Sequence, residues 1–263
     1  MLVTANNRFD FFTRSLQCYI DQTYPNKELL IINEGSKEYQ EKIKFCVKDR
    51  SDIKLVFLDG WYSLGALRNL SMALSNGQIF VQWDDDDFNL PERLAIQYNF
   101  LASNPQAKIC YLSDQLHYYF DSKYLFWEDW AQFCSGGHKK YSLIPGTIMA
   151  WRDGFNYRYP SAGNFCSAGE DSVLAYQILN DDEDRVVLLS GFGYMQMYTY
   201  HGKNVWDVDH HLKISKERAI KSDFLIRNRQ RICGMVNYLK LPGVTKIMGR
   251  EGLAFTHEAV YDN

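Results

Sequence analysis

Residues 78–91 read QIFVQWDDDDFNLP. A run that favours burial (Ile79, Phe80, Val81) delivers four carboxylates, Asp84 to Asp87, to one point. Pro91 then stands where a helix takes its first-turn proline. Adjacent carboxylates repel, so a hard divalent cation, a Lys or Arg, or solvent must relieve them. In an extended segment Asp84 and Asp86 fall on one side, a spacing that suits Mg2+ or Mn2+ gripping a diphosphate. By itself the run also reads as a solvated acidic loop capping the next helix.

Outward from this stretch, strand-like and helix-like segments alternate. Phe9, Phe12, Leu16 and Tyr19–Ile20 recur at helical spacing. LLIIN (29–33), KLVFLD (54–59) and KICYLSD (108–114) are buried-strand runs, and helices are expected over 64–75 and 91–103. Apolar strands joined by helices predict an α/β fold with a mostly parallel sheet covered on both faces. Ligands of such open sheets bind at the carboxyl ends of the strands, where the aspartates stand. Beyond Asp114 the pattern changes. QLHYYFDSKYLFWE predicts a hairpin turning at Asp121–Ser122, strands are expected within 143–151, 185–190 and 194–201, and a short helix over 171–179. Residues 213 to about 239 read as helical and basic.

The chain of 263 residues has room for one large domain or two small ones. Aromatics at 15% suit either a cleft that stacks flat rings or a well-filled core. A net charge of −3 gives no reason to expect a nucleic-acid partner. Ten Lys/Arg against Glu217 and Asp223 give residues 213–250 a local charge of +8. That stretch reads as a solvated helix face, or as a peripheral contact with anionic lipid headgroups. Cys18, Cys46, Cys110, Cys134, Cys166 and Cys233 lack CxxC spacing, which argues against zinc and against a disulfide framework. With no leader pattern and no apolar run near the roughly 18 residues of a membrane span, a cytoplasmic setting is expected, with the inner membrane face as a place of contact. The chain begins almost inside its first apolar stretch, so a few residues are expected upstream.

Four stretches occur in order: QTYPNKELLIINEGS (22–36), SLGALRN (63–69), NGQIFVQWDDDDFNLPERL (76–94) and GEDSVLAYQIL (169–179). Together they resemble the family 2 glycosyltransferases of the GT-A fold, over roughly residues 2–180. The resemblance implies a Rossmann-like, mostly parallel sheet flanked by helices. It also implies a nucleotide-sugar donor, most simply a UDP-sugar, a divalent metal (Mn2+ or Mg2+), an inverting reaction and a glycan or lipid-linked acceptor. The organisation it suggests is one domain over 1–205, with a nucleotide-binding half (1–114) and an acceptor-binding half (115–205), then a helical extension over 206–263.

The resemblance also assigns residues. Thr4, Asn7 and Arg8 close the first strand, where the family contacts the base. Glu34 would accept a uracil N–H, although Asn33–Glu34 replaces the usual aspartate pair. Asp59 could reach base or ribose, Gly65 would let a ligand approach, and Arg68 would neutralise phosphate or pair with the aspartates. Asp84 would bind ribose hydroxyls and Asp86 the metal, with Asp85 and Asp87 supporting them; a register shift of one would swap the pairs. Asp171 would be the general base and Glu170 would bind acceptor hydroxyls, although two acids also favour any helix start. His201 is the candidate third metal ligand and Lys203 the neutraliser of the leaving diphosphate. His210 and His211 are expected to be exposed. Trp127, Trp130 and Trp151 flank the acceptor region, and Gly146 sits in a loop under the donor sugar. A sugar-nucleotide pyrophosphorylase would carry a Gly-rich phosphate loop near its start, which is absent here. A non-catalytic sugar- or nucleotide-binding module derived from a transferase is the alternative.

Overall fold

The computed structural model describes residues 1–4, 8–133 and 142–260. Asn7, one of the expected nucleotide contacts, lies outside the described residues, as does Cys134. In chain order the elements are β1 (Leu2–Thr4), α1 (Phe9–Ile20), β2 (Leu29–Asn33), α2 (Lys37–Val47), β3 (Ile53–Phe57), α3 (Leu64–Leu74), β4 (Ile79–Val81), β5 (Trp83–Asp84), β6 (Phe88–Asn89), α4 (Arg93–Ala102), β7 (Ile109–Leu112), β8 (Asp114–Tyr119), β9 (Tyr124–Asp129), β10 (Met149–Trp151), α5 (Glu170–Asp182), β11 (Val186–Leu189), β12 (Gln196–Tyr200), α6 (Val208–Arg218), α7 (Ser222–Arg227), α8 (Arg229–Tyr238), β13 (Val244–Gly249) and β14 (Gly252–Glu258).

Local chemistry sets several boundaries. Ser36 and Ser63 cap α2 and α3 by accepting the backbone N–H of Tyr39 and Ala66, each at 3.3 Å. Asp207 caps α6 by accepting from His210. Phe12, Leu16 and Tyr19 form the buried stripe of α1. All of β2 is buried, as a strand covered on both faces requires. Leu67 of α3 packs on Leu30 and Ile32 of that strand.

The chain divides into two compact units, Met1–Tyr111 with Ile144–Leu189, and Leu112–Leu143 with Ser190–Asn263. In the first, strands run in the order β3-β2-β1-β5 with parallel pairings. A second set runs β11-β7-β10-β4, with β10 antiparallel to β4 and β7. Only Gln82 separates β4 from β5, so one run of chain serves both sets and ends at the aspartates. At the opposite, amino-terminal ends of these strands lies a cavity of about 520 Å3, lined by Met1, Leu29, Ile79, Trp83, Tyr98 and Trp151 among others.

In the second unit the strands run β14-β13-β9-β8-β12. The expected hairpin is present, with β8 and β9 antiparallel, Tyr119 opposite Tyr124, and Lys123 at φ 58° in the turn. β12 pairs parallel to β8, and β13 parallel to β9. This differs from the expected boundary at residue 205 and the wholly helical extension after it. The last stretch supplies β13 and β14 to the sheet that starts at Asp114, because its alternating exposed and buried side chains suit a strand better than a helix.

Inside this unit Trp127 donates to the Asp114 carboxylate at 2.7 Å, and the N–H groups of Gly191 and Gly193 donate to it at 2.9 and 2.7 Å. Glu128 is wholly buried and contacts His117 at 2.8 Å, with Ser215 and Trp130 donating to it as well. Burial alone would raise its pKa, but His117 and these donors hold it down to about 2. His211, expected to be exposed, is buried beside His117 and Tyr198, and burial lowers its pKa to about 4.

The basic stretch is not a single face. Phe126 packs with Ala219 just beyond α6, and Ser215 of α6 reaches Glu128. Trp127, which points to the other side of the strand, packs on Phe224 of α7, and Arg229 at the start of α8 lies over Phe255. The helices therefore cover opposite faces of the sheet, and their Lys and Arg side chains are divided between them. Among the described residues no helix is long and apolar enough to cross a membrane.

Candidate active site

The carboxyl ends of β1, β2 and β5 and the starts of α3 and α5 hold a charged cluster, all of it within the first unit. Its centre is Arg68, whose side chain is 9% exposed. Nη2 lies 3.0 Å from Asp84 Oδ1, and Nε lies 3.0 Å from Glu170 Oε1. The Tyr159 ring lies 5.6 Å from the guanidinium carbon. Asp171 also acts electrostatically on Arg68, and the carboxylates hold the arginine more firmly protonated than usual. Gln82 donates to Asp84 Oδ2 at 3.0 Å and accepts from the Tyr159 hydroxyl at 2.9 Å.

Burial drives the titration of the two acids that open α5. Glu170 is pushed up to about 7 by burial, with Arg68 opposing and Asp171 adding. Asp171 is raised by burial, Arg68 opposes that shift, and Asp84 reinforces it. Asp171 Oδ1 accepts from the Ser172 N–H at 2.7 Å and from its hydroxyl at 3.4 Å, which fixes the carboxylate at the helix start. Gly169 caps the helix in the left-handed region, at φ 77°. Gly146 stands over the cluster. A methyl group there would lie 3.4 Å from Asp84 Oδ2 and 3.7 Å from Asp171 Oδ2, so the glycine lets this turn of chain pack directly against both acids.

The aspartate run does not keep the expected alternation. Extended structure ends at Asp84, and the chain bends at Asp85 and Asp86, so the two-residue period fails there. Arg8 joins Asp85 to Asp86, at 2.9 and 3.1 Å, while Asp84 pairs with Arg68. Asp85, expected to support the nucleotide-binding aspartates, is buried and receives the Thr4 hydroxyl at 2.8 Å. Thr4, itself buried, is shared between Asp85 and the Tyr39 hydroxyl. Burial and the adjacent Asp86 push Asp85 up to about 7, against the pull of Arg8.

Gly65 has a different role from the expected one. The place of its missing side chain is taken by the Pro160 carbonyl oxygen, 1.9 Å from where a Cβ would sit, and its N–H donates to Cys166 O at 2.8 Å. The chain's own loop, not a ligand, makes the close approach. Glu34 accepts the Tyr62 backbone N–H at 2.9 Å, and Asp59 is exposed on the same loop as Tyr62. Asn33 ties β2 to β1 by donating to Thr4 O at 2.9 Å. His201 and Lys203 follow β12 in the second unit, where His201 Nδ1 accepts the Lys203 N–H at 3.3 Å. Trp127 is buried and bonded to Asp114, Trp130 donates to Glu128, and Trp151 lines the amino-end cavity. Sequence reasoning missed Gln82 and Tyr159. For Gln82 the signal was a polar residue inside an apolar strand; Tyr159 had none.

A divalent cation, which the resemblance implies, can be tested against these donors. Among the described residues no three His, Cys, Asp or Glu side chains form a ready metal shell. Asp84 and Asp86 nevertheless offer hard carboxylate oxygens, and Asp86 is 16% exposed. Mg2+ and ions like it take one or two protein carboxylates and complete their shell with water and phosphate oxygens. The donor chemistry suits such a cation, while the pairing in this structure turns Asp84 to Arg68 and Asp86 to Arg8.

The sequence matches the family described as Glycosyl transferase family 2 over residues 1–155. The chain belongs to glycosyl transferase family 2. An uncharacterized glycosyltransferase of Rickettsia bellii is 30% identical over 105 residues, 40% of this chain and 15% of that one. The Escherichia coli UDP-Glc:alpha-D-GlcNAc-diphosphoundecaprenol beta-1,3-glucosyltransferase WfgD is 26% identical over 106 residues, 40% of this chain and 41% of its own length. The matches thus span less than half of these relatives. Among solved structures, S. aureus TarS 1-349 in complex with UDP-GlcNAc aligns with a TM-score of 0.59 at 13% identity, covering 89% of this chain and 65% of that one. Mannosyltransferase PcManGT from Pyrobaculum calidifontis, in complex with GDP-Man and Mn2+, aligns at 0.53 and 13%, covering 92% and 63%. This family 2 chain therefore has the GT-A glycosyltransferase fold.

Proposed function

We propose that this family 2 protein transfers a sugar from a UDP-sugar to a hydroxyl of a glycan or lipid-linked acceptor, with inversion at the anomeric carbon. One observation carries the reading: Asp84, Glu170 and Asp171 gather around Arg68 at the strand ends, with Gly146 packed against Asp84 and Asp171. The relative WfgD is named for a UDP-Glc donor and a diphosphoundecaprenol acceptor, and TarS binds UDP-GlcNAc. PcManGT holds GDP-Man, so the fold alone leaves the nucleotide open.

In the proposed reaction the acceptor hydroxyl loses its proton to Asp171 as its oxygen bonds to the anomeric carbon. The bond from that carbon to the diphosphate breaks on the opposite side, and the nucleoside diphosphate leaves. A base works best when its pKa approaches the working pH, and burial moves Asp171 in that direction. Glu170, paired with Arg68, would bind acceptor hydroxyls. Glu34 and Asp59 would meet base and ribose from the rim, and Asp84 would face the ribose. Asp86, with Asp84, would hold Mg2+ or Mn2+, which supplies positive charge to the diphosphate when bound.

The test is nucleotide release from UDP-, GDP- and dTDP-sugars with Mn2+. UDP release that is lost in Asp86→Ala and Asp171→Asn is the expected result. Donor binding by thermal shift with no turnover on any acceptor would instead identify a binding module.

A further inference from the structure

The loop from Pro160 to Gly169 joins the buried Tyr159 to the helix carrying Glu170 and Asp171. It is pinned to the start of α3 at both ends. Ser63 donates its hydroxyl to Ser161 O at 2.9 Å, Gly65 donates to Cys166 O at 2.8 Å, and the Leu64 N–H donates to the Ser167 hydroxyl at 3.3 Å. Between these anchors the chain turns through Gly163 at φ 81°, and Phe165 stands 56% exposed. The ring is not a stray surface side chain on a loose segment. Its Cδ1 is 3.8 Å from where a Cβ on Gly169 would sit, so it lies against the amino end of α5, in which Asp171 is the second residue.

A fixed, exposed aromatic face at the start of the helix that carries Glu170 and Asp171 has a chemical match. The C–H face of a pyranose ring is apolar and covers an aromatic ring, while its rim of hydroxyls remains free for polar partners. A sugar lying on Phe165 would present that rim toward Glu170 and Asp171.

We propose that Phe165 is the platform on which the acceptor sugar stacks, and that it selects acceptors with an unobstructed C–H face. This rests on the reading of Asp171 as the base, and the test separates the two. Substituting Phe165→Ala leaves the fold's hydrogen bonds alone, because the loop is anchored through its backbone and serines.

The experiment uses p-nitrophenyl glycosides of glucose, galactose and N-acetylglucosamine as acceptors, with UDP-sugar hydrolysis by water measured beside transfer. Phe165→Ala is expected to raise the acceptor KM about tenfold, with UDP affinity and hydrolysis unchanged, and Phe165→Trp to restore the KM. As a second readout, the added Trp fluorescence in Phe165→Trp should change when the same glycosides are added in the presence of UDP. An acceptor KM within twofold of the parent in Phe165→Ala, or a Trp signal that no glycoside moves, overturns the platform while leaving the base in place. Loss of hydrolysis and transfer together in Asp171→Asn, with the Phe165 effect on KM present in the parent background, supports both. Donor hydrolysis and transfer that persist in Asp171→Asn count against the base and leave the Phe165 result to stand by its own KM.

Discussion

Arg68 Nη2 and Asp84 Oδ1 meet at 3.0 Å, joining the helix that follows β3 to the tip of β5. The same guanidinium reaches Glu170, so one buried cation compensates carboxylates from two other elements. Replacing Arg68 by Met should leave that negative charge uncompensated and cost about 3 kcal/mol or more of stability. Adding Glu170→Gln to Arg68→Met should recover part of the loss. Urea denaturation of the two single variants and the double variant checks this, and strictly additive losses would mean the pair is not coupled.

Glu170 gives a signed pH dependence of stability. Its folded pKa of about 7 lies above the ordinary 4.5, so the folded state binds the proton more tightly. The resulting stability is fully present below pH 4.5 and is lost as pH rises toward about 7. The melting temperature of the parent relative to that of Glu170→Gln should therefore fall across that window. Parallel curves for the two proteins would contradict the assignment.

Asp171→Asn should lower kcat by about 10²- to 10⁴-fold, the usual contribution of general base catalysis, while UDP affinity stays near that of the parent. Because burial raises the Asp171 pKa, the acid limb of kcat/KM should lie above the ordinary carboxylate range, with activity rising as pH rises through it. Stopped-flow or coupled assays of transfer against pH read both effects.

Two glycines should respond in opposite directions. At Gly65 an alanine methyl would fall 1.9 Å from the Pro160 carbonyl oxygen, a backbone atom that cannot step aside cheaply. Gly65→Ala should destabilise by about 1–3 kcal/mol or more. At Gly234, inside α8 and exposed, nothing lies within 4 Å, and Gly234→Ala should stabilise by about 0.5–1 kcal/mol through helix propensity. Thermal melts of the two variants, run side by side, distinguish a packing glycine from a dispensable one.

Much of the first unit was legible because its signals are local. LLIIN needs no neighbours to identify it as a covered strand, and β2 is buried along its whole length. The hairpin turning near Asp121 was legible in the same way. What failed depended on partners remote in sequence. The helices expected over 213 to about 239 are present, but the residues after them were expected to be helical too and form strands. The alternation in 244–249 has meaning only once β9 lies beside it.

The sequence by itself determined that acids would stand at the carboxyl ends of parallel strands, with a second acidic pair at a helix start, since strand runs, helix caps and spacing are properties of short segments. Only the tertiary structure decided which acid meets which arginine. A bend at Asp85 and Asp86 turns their carboxylates to Arg8 and leaves Asp84 to Arg68. Ion pairing depends on where distant segments bring their charges together, and Arg8, Arg68 and Glu170 reach the aspartates from separate elements.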